Sequence, residues 1–105
     1  MRVDVLTLFP EIFEGFLRAS FVGRAQELGA LAVRLRSPRA FGKGRHQSVD
    51  DTPYGGGSGM VMRVDVLVDA LESLDADAPS GVRGHRVLLT PQGAPFNQAK
   101  AFAWS

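Results

Sequence analysis

The chain opens on a run of apolar positions. Val3, Val5, Leu6, Leu8 and Phe9 are interrupted only by Asp4 and Thr7 and stop at Pro10, which predicts a buried strand. Pro10 suits the first turn of a following helix, where its missing N–H goes unused. Ile12, Phe13, Phe16 and Leu17 then recur at helical spacing, with Glu11, Glu14 and Arg18 opposite, predicting an amphipathic helix that Gly15 weakens. A second short helix is predicted from Ser20 as its cap, Phe21, Ala25 and Leu28 as one face, and Gly29 as its stop. Beyond it Leu31, Val33 and Leu35 alternate with Ala32, Arg34 and Arg36 until Ser37-Pro38, the period-two pattern of a strand with one wetter face.

From Pro38 to Met60 no period is sustained, and Gly, Pro, Asp and Ser are dense. A loop of that length inside a domain is uncommon, and we read it as functional. Helical spacing returns with Val64, Leu67, Val68, Leu71 and Leu74 against Asp65, Asp69 and Glu72. A solvent loop is predicted over residues 75–84 and a short buried strand over residues 86–90, with Val87, Leu88 and Leu89 at its centre. A last helix is predicted to begin near Asn97. The order of strand, helices, strand, long loop, helix, strand and helix predicts an α/β fold with a mostly parallel sheet flanked by helices. Such a sheet normally gathers more than three strands and has both faces covered, so the sequence reads as an incomplete portion of a domain.

Composition narrows the chemistry. With 105 residues, 45% of them hydrophobic and 22% charged, the chain fits one small globular unit with a thin core, and a second domain is not expected. The absence of cysteine excludes disulfides, thiolate metal sites and cysteine nucleophiles. The first ten residues carry Arg2 and Asp4 inside a short apolar run, which fits neither a secretion signal nor a membrane span and leads to the expectation of a cytoplasmic protein. A net charge of +1 argues against bulk attraction to nucleic acid. Its distribution is uneven, however: no acidic residue lies between Glu27 and Asp50, while Arg34, Arg36, Arg39, Lys43, Arg45 and His46 fall in that interval.

Three segments carry candidate chemistry. In Pro53-Tyr54-Gly55-Gly56-Gly57-Ser58-Gly59-Met60 the glycines permit positive φ and exposed N–H groups, suited to close approach to a phosphate or a flat ligand, or alternatively to a flexible linker. Leu88-Leu89-Thr90-Pro91-Gln92-Gly93 would place free backbone groups at the carboxyl end of a strand, where ligands gather in α/β sheets, although an ordinary turn has the same pattern. In Arg45-His46-Gln47-Ser48-Val49-Asp50-Asp51 the cations suit phosphates and bases and the carboxylates suit guanine edges, against the alternative of a solvated polar loop. His46 with Asp50 and Asp51 makes only a weak metal set, and no metal is expected. His85, between Gly84 and Arg86, is expected simply to face solvent. The nucleotide-triphosphate loop fails because Ser37 stands where its first glycine belongs, and the dinucleotide pattern fails at Met60.

Taken together, Leu8-Phe9-Pro10-Glu11 with Phe13, Gly23-Arg24-Ala25, Ser37-Pro38-Arg39 with Phe41, Arg45-His46, Val49-Asp50-Asp51, Pro53-Tyr54-Gly55-Gly56-Gly57 with Gly59-Met60, and Pro91-Gln92-Gly93 resemble the bacterial tRNA (guanine-N1) methyltransferase family in order and approximate spacing. The resemblance implies methyl transfer from S-adenosylmethionine to N1 of the guanine on the 3′ side of the anticodon. It further implies a homodimer with a trefoil-knotted, SPOUT-type α/β methyltransferase domain, of which residues 1–105 would be the amino-terminal portion, without the carboxy-terminal tRNA-binding domain. By position, Leu88, Leu89, Thr90, Pro91, Gln92 and Gly93 would belong to the cofactor pocket. Arg45, His46, Asp50, Tyr54, Gly55, Gly56, Gly57 and Gly59 would lie toward the methyl donor and the tRNA. Ser58 departs from the family's usual proline. The family's remaining cofactor loops and its proposed general base lie beyond residue 105, so no catalytic residue is assigned here. The glycine-bearing bends around residues 55 and 93 are expected to converge on one pocket. Beside a truncated methyltransferase, inactive alone, stand an RNA-binding module that keeps only the basic loop and a self-assembling module that buries a free sheet edge.

Overall fold

The computed structural model describes residues 1–53, 55–79 and 83–105. Strand β1 (Arg2–Leu6) pairs in parallel with β2 (Ala32–Arg36), Arg2 opposite Ala32, Asp4 opposite Arg34 and Leu6 opposite Arg36. The crossover between them holds a 3-10 turn (Pro10–Phe13), helix α1 (Glu14–Arg18) and helix α2 (Ser20–Glu27). Pro10 occupies the first position of the turn, as its fixed φ favours.

One detail of the crossover differs from the sequence reading. Ser20 is no cap: it is the first helical residue, at φ 49°, and Ala19 precedes it in extended conformation without a side-chain cap. The amide of Gln26 instead donates to the Leu17 carbonyl (2.6 Å), satisfying an acceptor at the end of α1. Gly23 is buried where a Cβ would run into the Arg18 backbone carbonyl, so the α1–α2 corner admits no side chain there. Gly29 ends α2 at φ 72°, the left-handed position for which glycine is suited.

The register sorts the sheet into two faces. Val3, Val5, Val33 and Leu35 share one; Arg2, Asp4, Arg34 and Arg36 share the other. The charged face meets the carboxyl end of helix α3 (Val64–Ala76). Arg2 donates to the carbonyls of Asp77 (2.8 Å) and Leu74 (3.4 Å), and Arg36 donates to Ser73 Oγ (2.8 Å). Arg34 and Arg36 both reach Asp77 Oδ2, at 2.8 and 2.7 Å, and Arg2 is itself paired with Asp4 (2.8 Å). The Arg2 guanidinium thus satisfies carbonyls that a helix end leaves without partners, and all three guanidinium groups complement its partial negative charge.

The core is small, as expected: Val49, Val66, Ala70 and Leu74 are its buried apolar residues, with Pro38 fully enclosed. The buried stripe of α3 is therefore Val66, Ala70 and Leu74, while Val64 and Val68, expected inside, are 72% and 42% exposed. Val64, Val66, Leu67 and Val68 spread widely around the start of this helix, so periodicity alone did not fix which face turns inward. The choice is made by contact with the 3-10 turn Pro38–Phe41, which packs on α3, and by β1.

The predicted strand over residues 86–90 does not form. Residues 83–99 are all exposed, Leu88 and Leu89 at 82% and 89%, and residues 83–90 have no regular structure. Strand-forming residues need a neighbour's backbone as well as their own propensity, and no strand edge is brought to them here. The segment is tied to α3 by Arg86, whose guanidinium pairs with Asp75 at 2.5 Å. His85 is exposed, with its ring 5.2 Å from that of Trp104, which also lies 5.6 Å from Phe96. Helix α4 (Gln98–Trp104) starts as predicted, with the Asn97 side chain accepting from the Lys100 N–H (3.0 Å). The radius of gyration is 16.1 Å, against about 13 Å for a closed domain of similar length.

Two outcomes follow from this packing. Ala70→Leu, at a fully buried site, is expected to lower unfolding stability by about 1–3 kcal/mol through overpacking, read as a lower urea midpoint. The guanidinium groups of Arg36 and Arg34 hold the Asp77 carboxyl below its ordinary value of 3.8. Its contribution is therefore complete above that value and is lost as pH falls through the lower, folded-state value. Unfolding midpoints of Asp77→Asn and the unsubstituted chain should differ near neutrality and converge in acid; a gap that persists at low pH would refute the assignment.

Candidate functional site

The long aperiodic segment is ordered in three steps. Ser37 Oγ accepts from the Arg39 N–H (3.2 Å) and starts the 3-10 turn that buries Pro38. Arg39 lies with its guanidinium carbon 6.0 Å from the centre of the Phe9 ring, within cation–π range, which ties this turn to the end of the first strand's apolar run. Next, Lys43 and Ser48 exchange backbone hydrogen bonds at 3.0 and 2.8 Å, closing a tight hairpin with Gly44, Arg45, His46 and Gln47 at its tip. Gly42 precedes it, where a Cβ would collide with the Gln47 backbone carbonyl. Gln47 has φ 51°, and the tip residues are exposed.

In the third step, strand β3 (Asp50–Asp51) pairs antiparallel with strand β4 (Val61–Met62), Asp50 opposite Met62 and Asp51 opposite Val61. Val49, immediately before β3, is buried, and its carbonyl accepts from Arg63 N–H at 2.8 Å. The glycine-rich run is thus the loop of a β-hairpin, fixed at its base. Gly55, Gly56, Gly57 and Gly59 all have positive φ, between 78° and 118°. Space is open around each of them, so backbone conformation and not crowding is what demands glycine here.

Between these pieces lies an open cleft of about 390 Å³, with Leu8, Arg39, His46, Asp50, Met60 and Met62 among its walls. It combines a cation, an imidazole, a carboxylate and two thioether side chains around one concavity. A planar ligand carrying both donors and acceptors suits such a wall. Arg63 and Asp65 frame the start of α3 nearby. Asp65 accepts from the Arg63 guanidinium (2.9 Å) and from the Val66 N–H (2.9 Å), which together hold its carboxyl at about 2. Among the described residues, no three His, Asp or Glu side chains cluster as metal ligands.

The sequence-predicted residues divide accordingly. His46 and Asp50 come together in the cleft, and Gly55 to Gly59 rise directly from its β3–β4 base. Arg45 stands at the hairpin tip outside the cleft lining, and Tyr54 lies outside the described residues. Leu88, Leu89, Thr90, Pro91, Gln92 and Gly93 line neither this cleft nor the smaller cavity beside Val68, Leu71 and Arg86. The expected convergence of the bends at residues 55 and 93 on one pocket is therefore not seen in either cavity, because residues 86–90 lack the strand that would carry them inward. A turn does form at Thr90, whose carbonyl accepts from Gly93 N–H (3.1 Å), but it is exposed on all sides. Small-molecule sites usually enclose about 70–90% of their ligand; residues 88–93 supply at most one open wall, so S-adenosylmethionine does not fit this segment by itself. Leu8, Met60 and Met62 were missed as cleft residues. Their signal was weak, since only the pairing of β3 with β4 brings the two ends of the aperiodic segment together.

Comparison with known proteins bears on what this arrangement is. Residues 1–105, the whole chain, match the family described as tRNA (Guanine-1)-methyltransferase TrmD. The chain belongs to this family. It is 62% identical to the tRNA (guanine-N(1)-)-methyltransferase of Sorangium cellulosum, over 96% of the chain and 45% of that protein. It is 48% identical to the one of Heliobacterium modesticaldum, over 96% of the chain and 38% of the protein. Among solved structures, the tRNA (m1G37) methyltransferase from Aquifex aeolicus superposes with a TM-score of 0.67 at 31% identity, covering 73% of this chain and 34% of that one. The fold is accordingly the α/β arrangement of a SPOUT-type methyltransferase, in part. The chain spans less than half the length of these two curated relatives. Among the described residues no helix is long and apolar enough to cross a membrane.

Two glycines give a contrasting test of the site's frame. Gly42→Ala should cost about 1–3 kcal/mol, as an added atom in a closed contact does. Gly15→Ala, in helix α1 with nothing near its Cβ, should gain about 0.5–1 kcal/mol. Chemical denaturation of both variants checks the pair, and equal effects would contradict the close approach at Gly42.

Proposed function

We propose that this chain is the amino-terminal part of a tRNA (guanine-N1) methyltransferase domain and that it is inactive without further polypeptide. The supporting observation is the cleft that gathers His46 and Asp50 beside the glycine hairpin, within a chain matched to the family from end to end. In this reading Arg45, His46, Asp50 and the loop from Tyr54 to Gly59 face the tRNA, and the turn from Leu88 to Gly93 becomes one wall of the cofactor pocket. The complete enzyme is a cytoplasmic homodimer with a trefoil-knotted domain followed by a carboxy-terminal tRNA-binding domain.

The methyl donor, S-adenosylmethionine, supplies an electrophilic methyl group, and N1 of the guanine gives up its proton as it is alkylated. The described residues provide one wall for the donor and no assigned base, so neither the transfer nor the proton abstraction is placed on them. Their work in this reading is to bind and orient. The cation and imidazole at the cleft suit phosphate and base contacts, and the Asp50 carboxylate suits the N–H edge of a guanine.

A chimera tests this reading: the 105 residues joined to the remainder of the 62%-identical relative. The chimera should transfer methyl groups from S-adenosylmethionine to guanine N1 of tRNA. The unjoined chain should show neither transfer nor micromolar binding of the donor by calorimetry. In the chimera His46→Ala should reduce kcat/KM by about tenfold, equivalent to ~1.4 kcal/mol. A folded chimera that methylates nothing would sink the proposal, and salt-sensitive binding of tRNA by the chain alone would then favour the RNA-binding module.

A further inference from the structure

The basic hairpin at residues 43–48 is short and largely exposed, and it is bonded to the neighbouring helix. Lys43 Nζ reaches Asp69 Oδ2 on α3 at 2.7 Å. Among the described residues this is the ion pair that joins the hairpin to the helix. Asp69 is otherwise an outward carboxylate on the helix's second turn, and Lys43 is the hairpin residue whose backbone closes the loop with Ser48. The bond therefore acts at the hairpin's base, one residue from Gly44 and two from Arg45. The carboxylate of Asp69, accepting a hydrogen bond from Lys43, also raises the ammonium's pKa, so Lys43 stays charged through the neutral range.

We propose that the Lys43–Asp69 pair is a positioning element for RNA contact: it holds the hairpin against α3 so that Arg45 and His46 are presented beside the cleft. The inference rests on the reading of that tip as a tRNA contact. Asp69 touches no RNA in this scheme, and Lys43 is engaged with a protein carboxylate. Both act through Arg45 and His46.

Simple electrostatics predicts the opposite behaviour, which makes the idea separable. Removing the carboxylate in Asp69→Asn takes away a negative charge and releases a lysine, so attraction to phosphate alone would tighten RNA binding. A positioning role predicts weaker binding, by about threefold to fivefold, the upper part of the range for surface ion pairs. The double exchange Lys43→Asp with Asp69→Lys, which keeps net charge and restores the pair, should recover affinity relative to Asp69→Asn. So should Lys43→Arg relative to Lys43→Ala.

The experiment titrates an anticodon stem–loop RNA at low salt against the 105-residue chain and these variants, with amide hydrogen exchange recorded on each protein. In Asp69→Asn the mutually bonded amides of Lys43 and Ser48 should exchange faster while α3 keeps its protection. Faster exchange together with weaker RNA binding supports the proposal. Unchanged exchange at those two amides overturns it, as does RNA binding that stays the same or tightens in Asp69→Asn. Absence of RNA binding by the unsubstituted chain overturns the reading of the tip as an RNA contact and this role with it, an outcome distinct from binding that ignores Asp69.

Discussion

Arg2, Arg34 and Arg36 project from one face of a two-stranded parallel sheet and converge on the last turn of a single helix, and the position of everything downstream of β2 is referred to that joint. Parallel strands are normally buried on both faces by apolar layers. Here the period-two alternation of β2 places Arg34 and Arg36 inward, and Asp4 on β1 falls opposite Arg34. Leu6 and Ala32 are the apolar residues on this face, so apolar packing is only part of what joins it to a helix. The carboxyl end of α3 offers what it can take: the carbonyls of Leu74 and Asp77, the hydroxyl of Ser73 and the carboxylate of Asp77. These groups are half-exposed, so their Coulomb attraction is screened, and the joint fixes orientation more than it adds stability.

That orientation propagates. With its end held on the sheet, α3 turns Val66, Ala70 and Leu74 inward, and the fully enclosed Pro38 sits in the turn packed against it. Pro38 locates Arg39, and Arg39 is set beside Phe9. At the other end of α3, the Arg63 N–H bonded to the Val49 carbonyl places β4 next to β3. The cleft therefore lies between two anchors on the same helix, and its walls come from segments distant in sequence. The glycine loop differs from these walls: clamped at Asp51 and Val61 and with positive φ at four glycines, it is directed by its base and is free of side-chain contact at the glycine positions.

Local physics made much of this legible in the sequence. Proline at a helix start, Gly29 as a stop, alternation in β2 and Asn97 before α4 each report an interaction completed within a few residues, and each was found where expected. The reading of the aperiodic segment as functional also drew on local signs, since glycines flanked by Asp-Asp and an apolar helix demand a special backbone. What escaped was non-local. Ser20 resembled a cap by type, yet the α1–α2 corner is set by Gly23 pressing on Arg18 and by Gln26 reaching Leu17. The inward face of α3 was decided by Pro38 and β1, which no window on residues 64–76 contains. Asp50 and Met62 are paired across a loop whose closure depends on chain geometry, not on the identity of either residue.

Residues 86–90 show the same limit from the other side. Val87, Leu88 and Leu89 have the composition of a central strand, and all three face solvent. Burying a leucine side chain contributes about 1.5–3 kcal/mol relative to leaving it exposed, so this segment has more to gain from an added layer than the half-exposed charged joint does. Composition and structure disagree here because strand formation requires a partner edge and a covering helix, and the described elements supply neither at this place. The turn at Thr90 to Gly93, which directly follows this segment, is exposed as well, so the described elements enclose neither the three apolar side chains nor the turn.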